Sequence, residues 1–413
     1  MLRVATLVAS LLALTACGGG AGSSSSGPAA GPNTVTMVVD AGPIVNGTAV
    51  GALNQAYVTI TVCSPGSSTA CQTIDHVWVD TGSTGLRLVA SALNNLSLPA
   101  VTDSGTTSGN AFAECYQFVS TYIWGAVRSA DVKIGAEVAK SIPIHVIGDA
   151  AFPNIPLSCA STGGSLQSSV SDISANGILG VGSFAQDCGT ACTTGNVPAA
   201  YYTCPTAGCQ PANASLAQQV SNPVVSFTTD NNGVALTLPP VPSQGAATAT
   251  GSLTFGIGTR PNNGLGGAVV LTVDPNTGYF TTLFGTSGIA YASSFIDSGS
   301  NALYFSDSTN TSLVKCATND FLYCPSKTLS LSAINVGVND KRSNVSFSVA
   351  AADPLFQAQP TFAAFSNVAG PNPPTGFSGR SFDWGLPFFY GRTVFIAIEG
   401  ASTPGGVGPY VAY

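Results

Sequence analysis

The sequence predicts a mainly β protein built as two related lobes with a cleft between them. Three observations lead there. Short runs of β-branched and aromatic residues recur between Gly, Pro, Asn and Asp, helical periodicity is scarce, and one short motif occurs once in each half of the chain. Runs at 35–39, 56–62, 76–79, 130–134, 224–228 and 393–398 have the length and alternation of strands. The short helical candidates fall at 90–96, 215–220 and 309–316.

The repeat decides the architecture. His76-Val77-Trp78-Val79-Asp80-Thr81-Gly82-Ser83 in the first half is matched by Ser294-Phe295-Ile296-Asp297-Ser298-Gly299-Ser300 in the second. Each copy is an apolar strand running into Asp, a hydroxyl residue, Gly and Ser, with an apolar exit. Downstream of each lies a glycine element: Gly177-Ile178-Leu179-Gly180-Val181-Gly182 after the first, and Asp383-Trp384-Gly385-Leu386-Pro387-Phe388-Phe389 after the second. Neither element has the lysine or the spacing of a phosphate loop. Glycines that let one backbone pass closely over another account for them better.

The 413 residues can bury a sizeable core, and composition narrows what that core serves. Only 8% are charged, 12 Lys plus Arg against 19 Asp plus Glu, where soluble chains average about 25%. The net charge of −7 argues against a nucleic-acid partner. Two histidines, His76 and His145, are too few for His-rich metal sites, and no cofactor is expected. There is no G-x-S-x-G nucleophile elbow, and Ser312-Leu313-Val314-Lys315 lacks the companion motifs of penicillin-binding enzymes. His145, within an apolar strand, reads as structural.

The N-terminus reads as an export signal. Arg3, a short apolar run and Leu14-Thr15-Ala16-Cys17 give a leader over 1–16 that is too short to span a bilayer. The cysteine after small residues resembles the bacterial lipobox, which implies lipidation of Cys17 and a membrane contact through that anchor. Residues 17–36 then form a Gly/Ser/Pro-rich tether. An N-terminal lobe over 37–220 and a C-terminal lobe over 221–413 follow, exported to the cell envelope and expected to act as a monomer. Ten cysteines remain, Cys63, Cys71, Cys115, Cys159, Cys188, Cys192, Cys204, Cys209, Cys316 and Cys324, an even number suited to as many as five disulfides. Cys63 with Cys71 and Cys316 with Cys324 would close short loops; sequence alone leaves the others open. A zinc site on Cys188, Cys192, Cys204 and Cys209 is disfavoured by loose spacing and an oxidising compartment.

With its two Asp-hydroxyl-Gly-Ser loops, each followed by a glycine element, the chain resembles the pepsin-like aspartic proteases. The resemblance implies a bilobal pepsin-like fold and a peptide or protein substrate. Asp80 and Asp297 would form the catalytic dyad, and Thr81 and Ser298 would crosslink the two loops. Gly82 and Gly299 would allow the turns, with Ser83 and Ser300 holding the outer carboxylate oxygens. Two adjacent carboxylates resist joint ionisation, so one keeps a proton while the other draws a proton from water, behaviour for which aspartic proteases are the standard example.

Three departures from that pattern stand out. Arg87 occupies a position usually held by tryptophan, where a charge would shift the dyad or read an acidic substrate, unless it is a solvated strand end. The flap hairpin, expected near 116–132, lacks the usual tip. Phe118 aligns with its tyrosine, and Tyr116, Tyr122 and Trp124 are neighbouring candidates that could equally be packing aromatics. Asp383 stands at an apolar position of the second glycine element. A chain of this fold that had lost proteolysis and bound peptide or another envelope component is the alternative to an endopeptidase.

Overall fold

The computed structural model describes residues 31–93, 96–103, 109–161, 164–194, 200–285, 288–307, 309–372 and 380–413. The leader, Cys17 and most of the tether lie outside the described residues. The first half runs through β1 (Thr34–Val39), β2 (Ala56–Cys63), β3 (Cys71–Asp80), β4 (Thr84–Val89), β5 (Ala111–Gln117), β6 (Thr121–Ile134), β7 (Glu137–Ile147), β8 (Gly177–Val181) and β9 (Tyr201–Cys204). The second half contributes β10 (Gly233–Leu238), β11 (Ala249–Phe255), β12 (Val270–Thr272), β13 (Phe280–Phe284), β14 (Ile289–Ile296) and β15 (Leu303–Tyr304). It continues with β16 (Leu329–Val336), β17 (Arg342–Val349), β18 (Ala369–Gly370), β19 (Asp383–Trp384), β20 (Arg392–Ala397) and β21 (Tyr410–Ala412).

These strands make the mainly β, two-lobed architecture that the motifs predict. In the first lobe, β6, β7, β4, β8, β3 and β2 pair in that order, and β2 pairs back onto β6, closing a six-stranded ring without free edges. From β2 the sheet continues through β1 into β11, β10, β20, β21 and β12, so β1 carries strand pairing from the first half into the second. The second lobe is an open sheet ordered β17, β16, β13, β14, β19, β15 and β18.

Burial follows the strand pattern. Along β2 and β3 the side chains of Val58, Ile60, Val62, Val77 and Val79 are buried in a core that extends without a break to Leu236, Phe255, Phe305 and Trp384. Each such side chain contributes about 1.5–3 kcal/mol when fully removed from water. Behind the second motif the filling is aromatic: Phe382 stacks on Phe305 at 4.6 Å and on Trp384 at 4.2 Å. The Trp384 indole N–H donates to Thr282 Oγ1 at 3.1 Å, so its one polar group is satisfied inside the core.

Some local expectations fail for identifiable reasons. The run at 224–228 is not a strand. Pro223 opens a 3-10 turn over Pro223–Ser226, and the Asn222 side chain accepts from Val224 N at 3.1 Å to cap it. Of the segment 90–96 only Ala90–Ala92 forms a 3-10 turn, and residues 94–95 lie outside the described set. Segments 215–220 and 309–316 form turns rather than helices, each beginning with side chains that hydrogen-bond local backbone, Ser215 with Gln218 and Asn310 with Ser312. The longest helix among the described residues, Ala352–Ala358, was not anticipated. No helix among them is long and apolar enough to cross a membrane.

All ten described cysteines are paired: Cys63–Cys71, Cys115–Cys159, Cys188–Cys192, Cys204–Cys209 and Cys316–Cys324. The cluster considered for zinc is thus two disulfides. Cys115–Cys159 spans 44 residues, the longest of the five, and ties β5 to the short helix Leu157–Ala160, where Cys159 is buried with Trp124 and Tyr202. Replacing both cysteines by alanine is expected to lower the unfolding free energy by about 2–4 kcal/mol. Urea unfolding of the oxidised variant beside the wild type measures this, and a loss below ~1 kcal/mol would contradict it.

Candidate active site

Each copy of the repeated motif sits where a third strand threads between the strand entering the Asp turn and the strand leaving it. In the first lobe β8 runs parallel to β3 and antiparallel to β4, with Gly180 opposite both Asp80 and Gly85. In the second, β19 runs parallel to β14 and antiparallel to β15. The glycine elements work as read from the sequence. A Cβ on Gly180 would lie 2.7 Å from Thr84 backbone atoms, and one on Gly385 would lie 2.7 Å from Ser300 O. Glycine is required because the threading strand crosses the Asp turn at backbone contact.

The two Asp loops meet as near-equivalent copies. Asp80 Oδ1 accepts from Gly82 N at 2.8 Å and its Oδ2 from Ser83 Oγ at 2.5 Å. Asp297 Oδ1 accepts from Gly299 N at 2.7 Å and its Oδ2 from Ser300 Oγ at 2.8 Å. Thr81 N donates to Ser298 Oγ at 3.0 Å, and Ser298 N donates to Thr81 Oγ1 at 2.9 Å. Each hydroxyl then donates to the opposite strand, Thr81 Oγ1 to Ile296 O at 3.1 Å and Ser298 Oγ to Val79 O at 2.8 Å. Four buried hydrogen bonds thus cross between the lobes, each worth about 1 kcal/mol net and more to lose singly.

This crosslink forces the carboxyls together. A Cβ on Gly82 would stand 2.6 Å from Asp297 Oδ1, and one on Gly299 would collide with Asp80 Oδ1. Burial first, then the charge of Asp80 and that of Asp383, pushes Asp297 well above the usual carboxylate range; the hydrogen bond from Ser300 opposes the shift.

Asp383 is a third carboxyl in this neighbourhood. It begins β19 opposite Phe295, two residues from Asp297, and is 1% exposed with its Oδ1 unpartnered. Burial drives it well above the usual range, a hydrogen bond with Ser300 opposes, and the Asp80 charge adds to the rise. The sequence shows it only as a polar residue at an apolar position.

The expected hairpin is present as β5 and β6, joined by a turn closed by Phe118 N donating to Thr121 O at 2.8 Å. Its two faces separate the aromatic candidates. Tyr122 and Trp124 are buried with Cys115, Cys159 and Tyr202 on one face, and the Trp124 indole donates to Phe152 O at 2.9 Å. Tyr116 and Phe118 pack edge to face at 5.0 Å on the other, beside Ile123. Burial raises the Tyr116 hydroxyl pKa, the Arg87 charge opposes the rise, and the charges of Asp187 and Asp80 add to it.

Arg87 is not a solvated strand end. Its side chain is fully buried, and one guanidinium nitrogen stands 2.9 Å from both Glu114 Oε1 and Asp187 Oδ2. Those partners also leave it unavailable to an acidic substrate. His145, buried as expected of a structural histidine, brings Nδ1 to 2.8 Å from Glu114 Oε2. His76 lies apart, between Asp40 and Asp75.

A family model described as "Protein of unknown function (DUF3443)" matches residues 29–413. The chain belongs to the DUF3443 family. No curated protein matches this DUF3443 member. Among solved structures, the crystal structure of an aspartic proteinase from Irpex lacteus is similar over 92% of this chain and 96% of its own, at 14% identity and a TM-score of 0.48.

Asp383 also has a thermodynamic consequence. Its folded pKa is raised, so its contribution to stability is complete below the unfolded value near 3.8 and is lost as pH rises through the folded value. Asp383→Asn removes that loss. The variant is expected to gain stability relative to wild type as pH rises from about 4 to 7. Parallel thermal-melting curves across that range would refute the assignment.

Proposed function

We propose that this chain is an aspartic-type endopeptidase of the cell envelope. The observation that carries the reading is the reciprocal Thr81–Ser298 crosslink, which presses two equivalently held carboxyls, Asp80 and Asp297, against each other. A binding cleft alone has no need of two carboxyls in contact, since holding one of them protonated near neutral pH costs stability.

The chemistry follows from the shared proton. The ionised member of the pair takes a proton from a water lying between the carboxyls, and the resulting nucleophile adds to the scissile carbonyl carbon. The protonated member gives its proton to the carbonyl oxygen as the tetrahedral species forms. Collapse breaks the C–N bond, and the amine leaves with a proton returned through the pair. Gly82 and Gly299 N–H groups and the Ser83 and Ser300 hydroxyls fix the carboxylates without contributing charge, so the dyad is held rigidly in a low-dielectric setting.

Export and anchoring belong to the same proposal. Leu14-Thr15-Ala16-Cys17 supplies a lipidation site, and five disulfides suit an oxidising compartment. The substrate would be an extended segment of an envelope or external protein.

The test uses the detergent-solubilised full chain with a denatured protein substrate between about pH 3 and 7. Asp80→Asn and Asp297→Asn are each expected to lower cleavage at least ~1,000-fold, a statine-containing peptide to inhibit, and activity to fall once the pair loses its shared proton. No cleavage by wild type at any pH, with the statine peptide still binding, would favour the binding-protein alternative; full activity in either Asn variant would overturn the dyad.

A further inference from the structure

Behind the flap hairpin lies a cluster of ionisable side chains that the dyad chemistry does not use. Arg87, Glu114 and His145 are fully buried, and Asp187 nearly so. Arg87 donates from Nη1 to Thr84 O at 2.5 Å and from Nη2 to Glu114 Oε1 and Asp187 Oδ2, both at 2.9 Å. Tyr201 donates to Asp187 Oδ1 at 2.7 Å, and its hydroxyl accepts from Val220 N at 2.8 Å. The Arg87 Cζ atom stands 3.5 Å from the centre of the Tyr116 ring, so the guanidinium lies flat against that face.

Such a cluster is a poor way to fill space. Taking several charges out of water costs several kcal/mol per ion, and an apolar group of similar volume would serve stability as well or better. Burial would drive the Glu114 carboxyl up, yet the Arg87 charge, with His145 and a hydrogen bond from Asp187, holds it well below the usual range. Asp187 is pushed the other way by burial and by Glu114. The geometry suggests what the cost secures. Thr84 directly follows the Asp80 loop, Glu114 and Tyr116 lie on β5 of the hairpin, and Asp187 lies in the loop after β8, the strand that threads past Asp80. One planar side chain bonds all three segments.

Register supports the same reading. Glu114 lies opposite Gly125 on β6, where a Cβ would first strike the Val146 carbonyl and would also stand 3.1 Å from His145 Nε2, so glycine lets β7 pass at backbone contact beside the cluster. One residue along β5, Cys115 is bonded to Cys159 on the opposite face. The hairpin is therefore moored on both faces along β5, and its turn is held as well, with Ser165 N donating to Ser120 O at 3.3 Å and residues 165–166 pairing with Thr121 and Tyr122.

We propose that Arg87, Glu114 and Asp187 are positioning residues that hold the Tyr116 ring over the Asp80 side of the cleft, and that Tyr116 is the flap side chain that meets substrate. Tyr116 would then do what alignment suggests for Phe118, with Arg87 as its support. The second clause rests on the endopeptidase reading; the first does not.

Two measurements on the full chain separate them. Hydrogen exchange followed by mass spectrometry, comparing Arg87→Lys and Glu114→Gln with wild type, reads the mooring without any substrate. Exchange at least ~10-fold faster, confined to 111–134 and the Asp187 loop, is expected. Unchanged exchange, or acceleration spread over the whole first lobe, overturns the mooring. Glu114→Gln keeps the cluster informative should Arg87→Lys fail to fold. With peptide cleavage as the readout, Tyr116→Leu should lower kcat/KM at least ~10-fold, Tyr116→Phe less than ~3-fold because the ring still stacks, and Glu114→Gln should raise KM more than it lowers kcat. Tyr116→Leu at wild-type kcat/KM, or a larger loss in Phe118→Leu, overturns the substrate contact. If wild type cleaves nothing, the endopeptidase reading fails together with the substrate contact, while the exchange result still decides the mooring.

Discussion

The structure depends on one pair of hydrogen bonds, Thr81 N to Ser298 Oγ and Ser298 N to Thr81 Oγ1, because they are what makes two lobes into one site. Each lobe can form its own Asp turn from local rules: the apolar strand, the glycine, the serine hydroxyl closing onto the carboxylate. Neither lobe alone has a reason to bring its carboxyl against another. The reciprocal exchange does so, and the continuing bonds give Val79 O and Ile296 O buried partners as well. Two carboxyls are tolerated in contact there because one of them keeps a proton and the surrounding contacts over-determine their position.

Much of this was legible in the sequence, since it is carried by short motifs. The duplicated loops gave the two-lobed β architecture, and the glycine elements gave the threading strands whose backbone contact demands Gly180 and Gly385. What escaped was non-local or was settled by one residue. Pro223 and the Asn222 cap turn an apolar run into a 3-10 turn. The helix at Ala352–Ala358 is too short for periodicity to register.

Arg87 shows the limit most clearly. Its unusual position could be read, but its partners Glu114, Asp187 and Tyr201 come from distant segments that only the closed sheet brings together. A faint signal existed: in a chain with few charges, Phe112-Ala113-Glu114-Cys115 places a carboxylate among apolar neighbours, as His145 places an imidazole. Polar residues at core positions signal partners to be found, and Asp383 repeats the pattern in the second lobe.

The disulfides bear on how the molecule matures. Every described bridge joins a cysteine to the next one along the chain, so no two bridges cross, and four of the five close within eight residues. With Cys17 acylated, as proposed above, an oxidant meeting the chain as it emerges could join the other ten thiols in order of arrival and reach the native set without reshuffling. The work of an isomerase would be dispensable, and maturation would be limited by assembly of the sheets rather than by the search for correct cysteine partners.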